Sequence, residues 1–419
     1  MRYLPAIVIG RITRIAVRMI RPGGGSALPG LVLSKLAPGI LQRTLGKFPD
    51  GLVVVTGSAG KSTTTKMLVA IARAHGLEVF TNPSTANILQ GFYASILERS
   101  NIFGRVRGQV AIFEMDEGHA AELVAHIKPR QVTIMNVVED QLDRFVDPAL
   151  VRDKLAVVAK SAAQTLIMNA DDQNLLQISQ SMPGKSVQWF GLADKSGVKR
   201  LGYAPTYADE IESPISTTKV LKLENKTVTI AVHGKMVTFE LPSRGMHFAI
   251  DAAAALESAH QMLGERFNLE LARATLANLP PVFARGEVVE IRGVPVEFIL
   301  VQNPISTQLN IDNLPAGLER VLFAIGRDVH DPSWLWTVDP KHLPPVDVIT
   351  GFNAAEAELW LRHHGYAPEL VTDDLEVAID HWLALPEPQN SMRTVIFSAD
   401  AMRRIRRMLG FTSPDEVTR

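Results

Sequence analysis

Residues 52–74 restrict the possible folds more than any other stretch of this chain. An apolar run, Leu52-Val-Val-Val55, leads into Thr56-Gly-Ser-Ala-Gly-Lys-Ser-Thr63, and a helix-like segment continues through Lys66 to Ala74. A strand, a glycine loop and a helix in that order make a phosphate cradle. The common form of this motif separates its glycines by four residues; here Gly57 and Gly60 stand closer. The chemistry survives the shortening. Backbone N–H groups from Gly57 through Ser58 and Gly60 can turn inward onto phosphate oxygens, and the helix adds its N-terminal donors and positive dipole end. Lys61 can neutralise β- and γ-phosphates, and the hydroxyl of Ser62 or Thr63 can ligate a divalent ion. ATP and Mg²⁺ are the expected cofactors.

The rest of the chain fits such a loop. Apolar runs recur at 78–81, 110–113, 132–135 and 165–168, with helix-like segments between them. This alternation predicts an α/β fold with a parallel P-loop sheet covered by helices. Between 191 and 242 the period changes to about two, with His233-Gly-Lys where a hairpin turn belongs, which predicts an antiparallel insertion. An alanine-rich helix follows at 252–262. A second, smaller Rossmann-like α/β unit is expected from 288, with strands near 296–301, 320–324, 347–350, 369–371 and 394–398. Three parts result: residues 1–45, with an amphipathic helix and a glycine-rich loop at Gly23–Gly30, a central ATP-binding domain over 46–287, and a C-terminal α/β domain over 288–419.

Composition excludes some functions. A net charge of -1 gives no global attraction to nucleic acid. With no cysteine, the chain has no disulfide, thiolate nucleophile or Cys-ligated zinc, which fits a cytoplasmic enzyme. The segment Ala6–Ile20 mixes apolar residues with Arg11, Arg14 and Arg18. Its apolar run is too short to span a bilayer, and it has no clear signal-peptide cleavage site. It reads as a basic amphipathic helix, either packed on the body or touching an anionic membrane at its inner face.

The form T-G-x-x-G-K-S/T-T resembles the central ATPase domain of Mur ligases and folylpolyglutamate synthases, with Ala59 where asparagine is usual. The resemblance continues in order along the chain. Asn87 resembles the asparagine facing the γ-phosphate. Glu114, closing Val110-Ala-Ile-Phe, matches the acidic Mg²⁺ ligand, the alternative being a surface acid. Asn136-Val-Val-Glu-Asp-Gln-Leu-Asp-Arg144 is similar to N-x-x-x-D-H-L-D, with Gln141 in place of histidine, and Asn169-Ala-Asp-Asp172 is similar to N-A-D-D. Lys154 falls near a lysine that is carbamylated at the metal site of amino-acid-adding relatives, or else is a solvated helix lysine. Asp251 stands where an adenine contact is expected, although Phe248 replaces an asparagine of that segment. Arg285 resembles a nucleotide-contacting arginine, or is a surface residue in a linker.

Only about fifty residues precede the loop, too few for a UDP-sugar domain, and the chain resembles the MurT-type branch. The shared features are Gly23-Gly-Gly-Ser-Ala-Leu-Pro-Gly30, Glu114-Met-Asp-Glu117, Asp140-Gln-Leu-Asp-Arg144, Asn303-Pro304 and Asp331-Pro-Ser-Trp-Leu-Trp336. The last two make residues 288–419 resemble a MurT-like C-terminal α/β domain. Gln302 replaces the usual lysine before Asn303. The zinc ribbon common in that branch is ruled out by the missing cysteines. The resemblance implies a ligase that amidates the α-carboxylate of D-glutamate in lipid II to D-isoglutamine through an acyl phosphate. Ammonia would come from a GatD-like glutamine amidotransferase subunit, whose Cys and His would form a triad with Asp331. Asp328 is the other alignment for that aspartate, and a helix cap is its plain structural role. Two alternatives remain: a Mur-like ligase joining an amino acid or peptide to another carboxylate without a glutaminase, and a nucleotide-binding subunit without turnover.

Overall fold

The computed structural model describes residues 3–20, 27–82, 88–138, 147–206, 209–281 and 284–411. Two sheets organise them. The first contains β1 (Leu52–Thr56), β2 (Val79–Thr81), β3 (Val110–Glu114), β4 (Gln131–Ile134), β5 (Thr165–Asn169), β6 (Val187–Leu192), β7 (Thr218–Glu224), β8 (Thr227–Val232) and β9 (Lys235–Glu240). Their spatial order is 2-3-1-4-5-6-7-8-9, parallel up to β7 and antiparallel through β8 and β9. The chain order reverses around β1, which is where open α/β sheets leave a crevice at their carboxyl edge.

Burial explains the sequence pattern. β1, β3 and β4 are buried along their whole length, so they read as continuous apolar runs. Val54 packs into one core and Val53 and Val55 into another, on opposite faces of the sheet. β8 and β9 instead expose one face and alternate. His233 and Gly234, both at positive φ, form the two-residue turn between them.

Helices cover both faces. Three lead in: α1 (Leu4–Ile20), α2 (Ala27–Leu36) and α3 (Gly39–Leu45). Then come α4 (Lys61–Ala74), α5 (Leu89–Arg99), α6 (Glu117–Val124), α7 (Pro148–Ser161), α8 (Gln173–Gln180), α9 (Met246–Leu263) and α10 (Leu269–Ala277). In α9 the run Ala252–Ala255 is wholly buried. Its small side chains let the helix lie close to α4 and to the sheet.

The second sheet holds β10 (Arg285–Ile291), β11 (Val294–Leu300), β12 (Val321–Ala324), β13 (Val348–Thr350), β14 (Leu370–Thr372) and β15 (Arg393–Phe397), in the order 10-11-15-12-13-14. Only the β10–β11 pair is antiparallel. Its helices are α11 (Pro304–Asp312), α12 (Ala354–His363), α13 (Leu375–Ala384) and α14 (Ala399–Met408). Arg244 links the two halves by donating from one Nη to both oxygens of Glu297, at 2.6 and 2.8 Å.

The α/β expectation holds, and the structure adds three details. Residues 27–30, expected in a loop, open α2; Pro29 is tolerated because first-turn N–H groups lack partners. Gly30 is there for contact, since a Cβ would lie 1.8 Å from the Gln90 carbonyl oxygen on α5. Segment 191–242 is antiparallel as expected through β7, β8 and β9, and the parallel pairing of β6 with β7 joins it to the first sheet. Strand β10 runs across the division drawn at 287/288, because it pairs with β11.

Candidate active site

The loop between β1 and α4 has its shape imposed from behind. Gly57 has φ +121°, and a Cβ there would sit 2.9 Å from the Asn136 nitrogen. Gly60 has φ +84°, and a Cβ would come within 2.2 Å of the Asp251 carboxylate. Only glycine fits either position. Asn136, just past β4, clamps the loop. Its Oδ1 accepts from the Ala59 N–H at 2.8 Å, and its carbonyl accepts from the Ser58 N–H at 3.0 Å. The Val138 N–H donates to Ser58 Oγ at 3.2 Å.

The acidic pair after β5 holds the clamp in turn. Asp172, fully buried, accepts from the Val137 N–H at 2.6 Å and caps α8 through the Asn174 N–H. Burial pushes its carboxyl up to about 7 against these hydrogen bonds. Asp171 accepts from the Leu192 N–H and pairs with Lys195. Asn169-Ala-Asp-Asp172 is therefore a brace that transmits the position of β5 to the phosphate loop.

At the mouth of the loop, Lys61 opens α4. Its Nζ donates to the carbonyls of Gly57 and Ser58 at 2.5 and 2.8 Å and lies 3.5 Å from Glu117 Oε2. The next residue, Ser62, donates from Oγ to Glu114 Oε1 at 2.9 Å. Glu114 is buried at the carboxyl end of β3, and Asn82 fixes its backbone through two hydrogen bonds of 2.9 and 3.0 Å. Asp116 caps α6 nearby. A hydroxyl and a carboxylate oxygen, side by side beside a phosphate cradle, fit a hard cation with oxygen ligands.

Asp251 and Arg285 occupy the far side of the loop. The Asp251 carboxyl lies against Gly60 with the Thr63 and Thr64 hydroxyls as partners. Burial pushes it up to about 8, opposed by Arg285. Arg285 donates to Thr63 Oγ1 at 3.3 Å. His247, buried beside them, is pushed down to about 4 by burial and by Arg285. Asp251 thus buttresses the loop from below, close enough to line the site.

A cavity of about 490 Å³ joins these groups to the second sheet. Its walls include the phosphate loop, Glu114, Asn136 and Asp251 from the first half. The second half contributes Arg285, at the start of β10, with Gln302, Asn303, Ser306 and Arg403. Asn303 and Ser306 form a capping box at the start of α11, which turns that helix N-terminus toward the loop.

Sequence-derived residues outside this cavity are as informative as those inside it. Lys154, partly exposed on α7, does not line the cavity. Asn87 and Gln141 lie outside the described residues. Asp331 is exposed and caps a short 3-10 turn, accepting from the Ser333 N–H at 3.0 Å. The Ser333 hydroxyl and amide hold its carboxyl below the usual range. Asp328 faces inward instead, accepting from Ser398 Oγ at 2.6 Å and from the Ala399 N–H at 2.8 Å. Sequence reading passed over Asn82, Asp116, Tyr203 and His247. Only Asn82, directly after a strand, carried a usable signal.

Residues 55–259 match the Mur ligase middle domain. The chain carries a Mur ligase middle domain. It is 25% identical over 393 residues to the lipid II isoglutaminyl synthase (glutamine-hydrolyzing) subunit MurT of Streptococcus pneumoniae, covering 84% of this chain and 85% of that one. A Staphylococcus aureus MurT is 27% identical over 172 residues, 41% of this chain and 38% of that relative. Among solved structures, MurF ligase from Thermotoga maritima in complex with ADP superposes with a TM-score of 0.65 at 20% identity, covering 91% of this chain and 83% of the other. Folylpolyglutamate synthase of Mycobacterium tuberculosis gives 0.64 at 16% identity over 97% and 99%. These similarities support an ATP-dependent ligase.

Proposed function

We propose that this chain is the ligase subunit of a lipid II isoglutaminyl synthase. It would transfer the γ-phosphoryl group of ATP to the α-carboxylate of D-glutamate in lipid II, releasing ADP; ammonia would then attack the acyl carbon and expel phosphate, giving D-isoglutamine. The observation that carries this reading is the similarity to MurT across both halves of the chain.

The geometry supplies a role for each group. Lys61 and the N–H groups of Ser58 to Ser62 would hold the β- and γ-phosphates, their positive ends facing the charge that develops on phosphoryl transfer. Ser62 Oγ and Glu114 Oε1 would hold Mg²⁺, which supplies Lewis-acid neutralisation of the transferred phosphoryl group. Arg285, through Thr63, keeps the first turn of α4 in place. The α11 N-terminus, with Asn303 and Ser306, faces the loop across the cavity and would orient the acceptor carboxylate.

Asp331 has no work inside this cavity. Its exposed position supports a part in a triad completed by a GatD-like glutaminase, where a carboxylate would orient the partner's imidazole. The rival, an amino-acid-adding ligase, draws on Lys154, and that side chain is not among the cavity walls.

The test is reconstitution. The purified chain with a GatD-like glutaminase, glutamine and Mg-ATP should convert lipid II carboxylate to carboxamide, read as the small mass loss of OH to NH2. Unchanged lipid II alongside consumption of an added amino acid would replace the proposal with the rival.

A further inference from the structure

Helix α1 carries an apolar stripe that the fold leaves uncovered. One side is firmly packed: Ala6 and Ile7 are buried, and a Cβ on Gly10 would meet Leu97 of α5 at 2.8 Å. Arg11 donates to the carbonyls of Leu97 and Ser100, capping the carboxyl end of α5, and Arg14 pairs with Glu98 at 2.6 Å. On the other side Val8, Ile12, Ile15 and Met19 are 44%, 60%, 61% and 80% exposed. Their spacing of four, three and four places them in one line along the helix. The loop residues Ile102 and Phe103, each 50% exposed, precede Gly104, which abuts Ile7 and Ile40. Isolated exposed apolar residues are ordinary; a contiguous line with an apolar loop beside its start is a surface built for contact.

Charge identifies the occupant. The first 49 residues contain eight Lys and Arg and no Asp or Glu. The whole chain is nearly neutral at -1, so this segment is a local concentration of positive charge. Arg11 and Arg14 lie along the margin of the stripe, between it and the body. An apolar line on a helix that carries arginines and no carboxylate of its own, within this positively charged segment, matches an anionic bilayer, where the apolar side chains enter the acyl boundary. No helix among the described residues is long and apolar enough to cross a membrane, so α1 would lie on the surface. We infer that α1 is an interfacial anchor that seats this ligase on an anionic membrane through Val8, Ile12, Ile15 and Met19. This stands on the helix itself and does not depend on the acceptor proposed above.

The experiment is co-sedimentation of the full chain with phosphatidylcholine vesicles, with and without phosphatidylglycerol. Nucleotide binding is measured on the same samples. The wild type should pellet with anionic vesicles, weakly or not at all with neutral ones, and less as salt rises. Ile12→Glu with Ile15→Glu should reduce partitioning at least about tenfold, as expected for removing two inserted apolar side chains, with nucleotide binding unchanged. Ile12→Leu with Ile15→Leu should restore it. The inference is overturned if the wild type stays in solution with anionic vesicles. It also falls if the glutamate variant binds them like wild type, or if that variant dissociates a dimer of a wild type that ignores lipid. Because the vesicle comparison uses unaltered protein, a misfolded variant cannot rescue or sink it. Failure of lipid II turnover would leave the vesicle result standing.

Discussion

Glu114 and Asp331 are the two carboxylates to which the sequence assigned chemistry, and the structure treats them oppositely. Glu114 is 3% exposed, receives the Ser62 hydroxyl and has its backbone locked by Asn82. Asp331 stands in solvent with only its own turn for support. A buried carboxylate fixed from several directions can act on a substrate that this chain binds alone. An exposed one that lines no cavity can act on a substrate only together with another molecule. On the proposed reading, the contrast would separate phosphoryl transfer internal to the chain from an ammonia supply shared across an interface.

The largest effects should test the internal half. Lys61→Ala and, separately, Glu114→Gln should each lower ATP turnover on the order of 10²- to 10³-fold, with the fold intact by circular dichroism. Nucleotide affinity that survives in Lys61→Ala would break the comparison at its root. Asp331→Asn comes next. It keeps a capping side chain, so stability should hold, while glutamine-driven amidation falls on the order of 10²-fold or more and ammonia-driven amidation stays near wild type. Equal loss with both nitrogen sources would move Asp331 into the ligase step. Asp328→Ala, by contrast, strips the Ser398 and Ala399 donors and should cost about 1–3 kcal/mol of stability by chemical denaturation.

Gly60→Ala should weaken nucleotide binding and cost about 1–3 kcal/mol, because the new methyl meets Asp251 at a positive φ. The smallest effect concerns pH. Asp251 is pushed up to about 8 in the fold against about 4 unfolded. Between those values the native state holds a proton that the unfolded chain has lost, so this group makes stability fall as pH rises from 4 through 8. His247, pushed down to about 4, acts in the opposite sense, removing stability as pH falls below about 6.5. Thermal melts of Asp251→Asn across this range should show the alkaline decline flattened and the acidic one retained.

How much of this could be read from residues depends on how local the cause is. The strands around β1 were legible because burial on both faces leaves unbroken apolar runs, and the His233-Gly234 turn because two positive φ values demand such residues. The loop was legible because glycine spacing is chemistry written in order. α2 was not, since Pro29 and Gly30 read as punctuation until the Gln90 carbonyl shows why a side chain is forbidden. β10 was hidden because Arg285-Gly-Glu opens an edge strand whose register shifts between Arg285 and Glu287. Asp251 beneath Gly60, and Lys154 away from the cavity walls, depend on contacts nearly two hundred residues apart or on how a helix rolls, and no spacing encodes either.

The cavity walls come from two halves with separate hydrophobic cores. A nucleotide lodged between Arg285, Asn303 and the Lys61 loop would act as a rivet, and the two sheets would then melt together. Without it, calorimetry should resolve two endotherms; with saturating nucleotide they should merge into one at higher temperature.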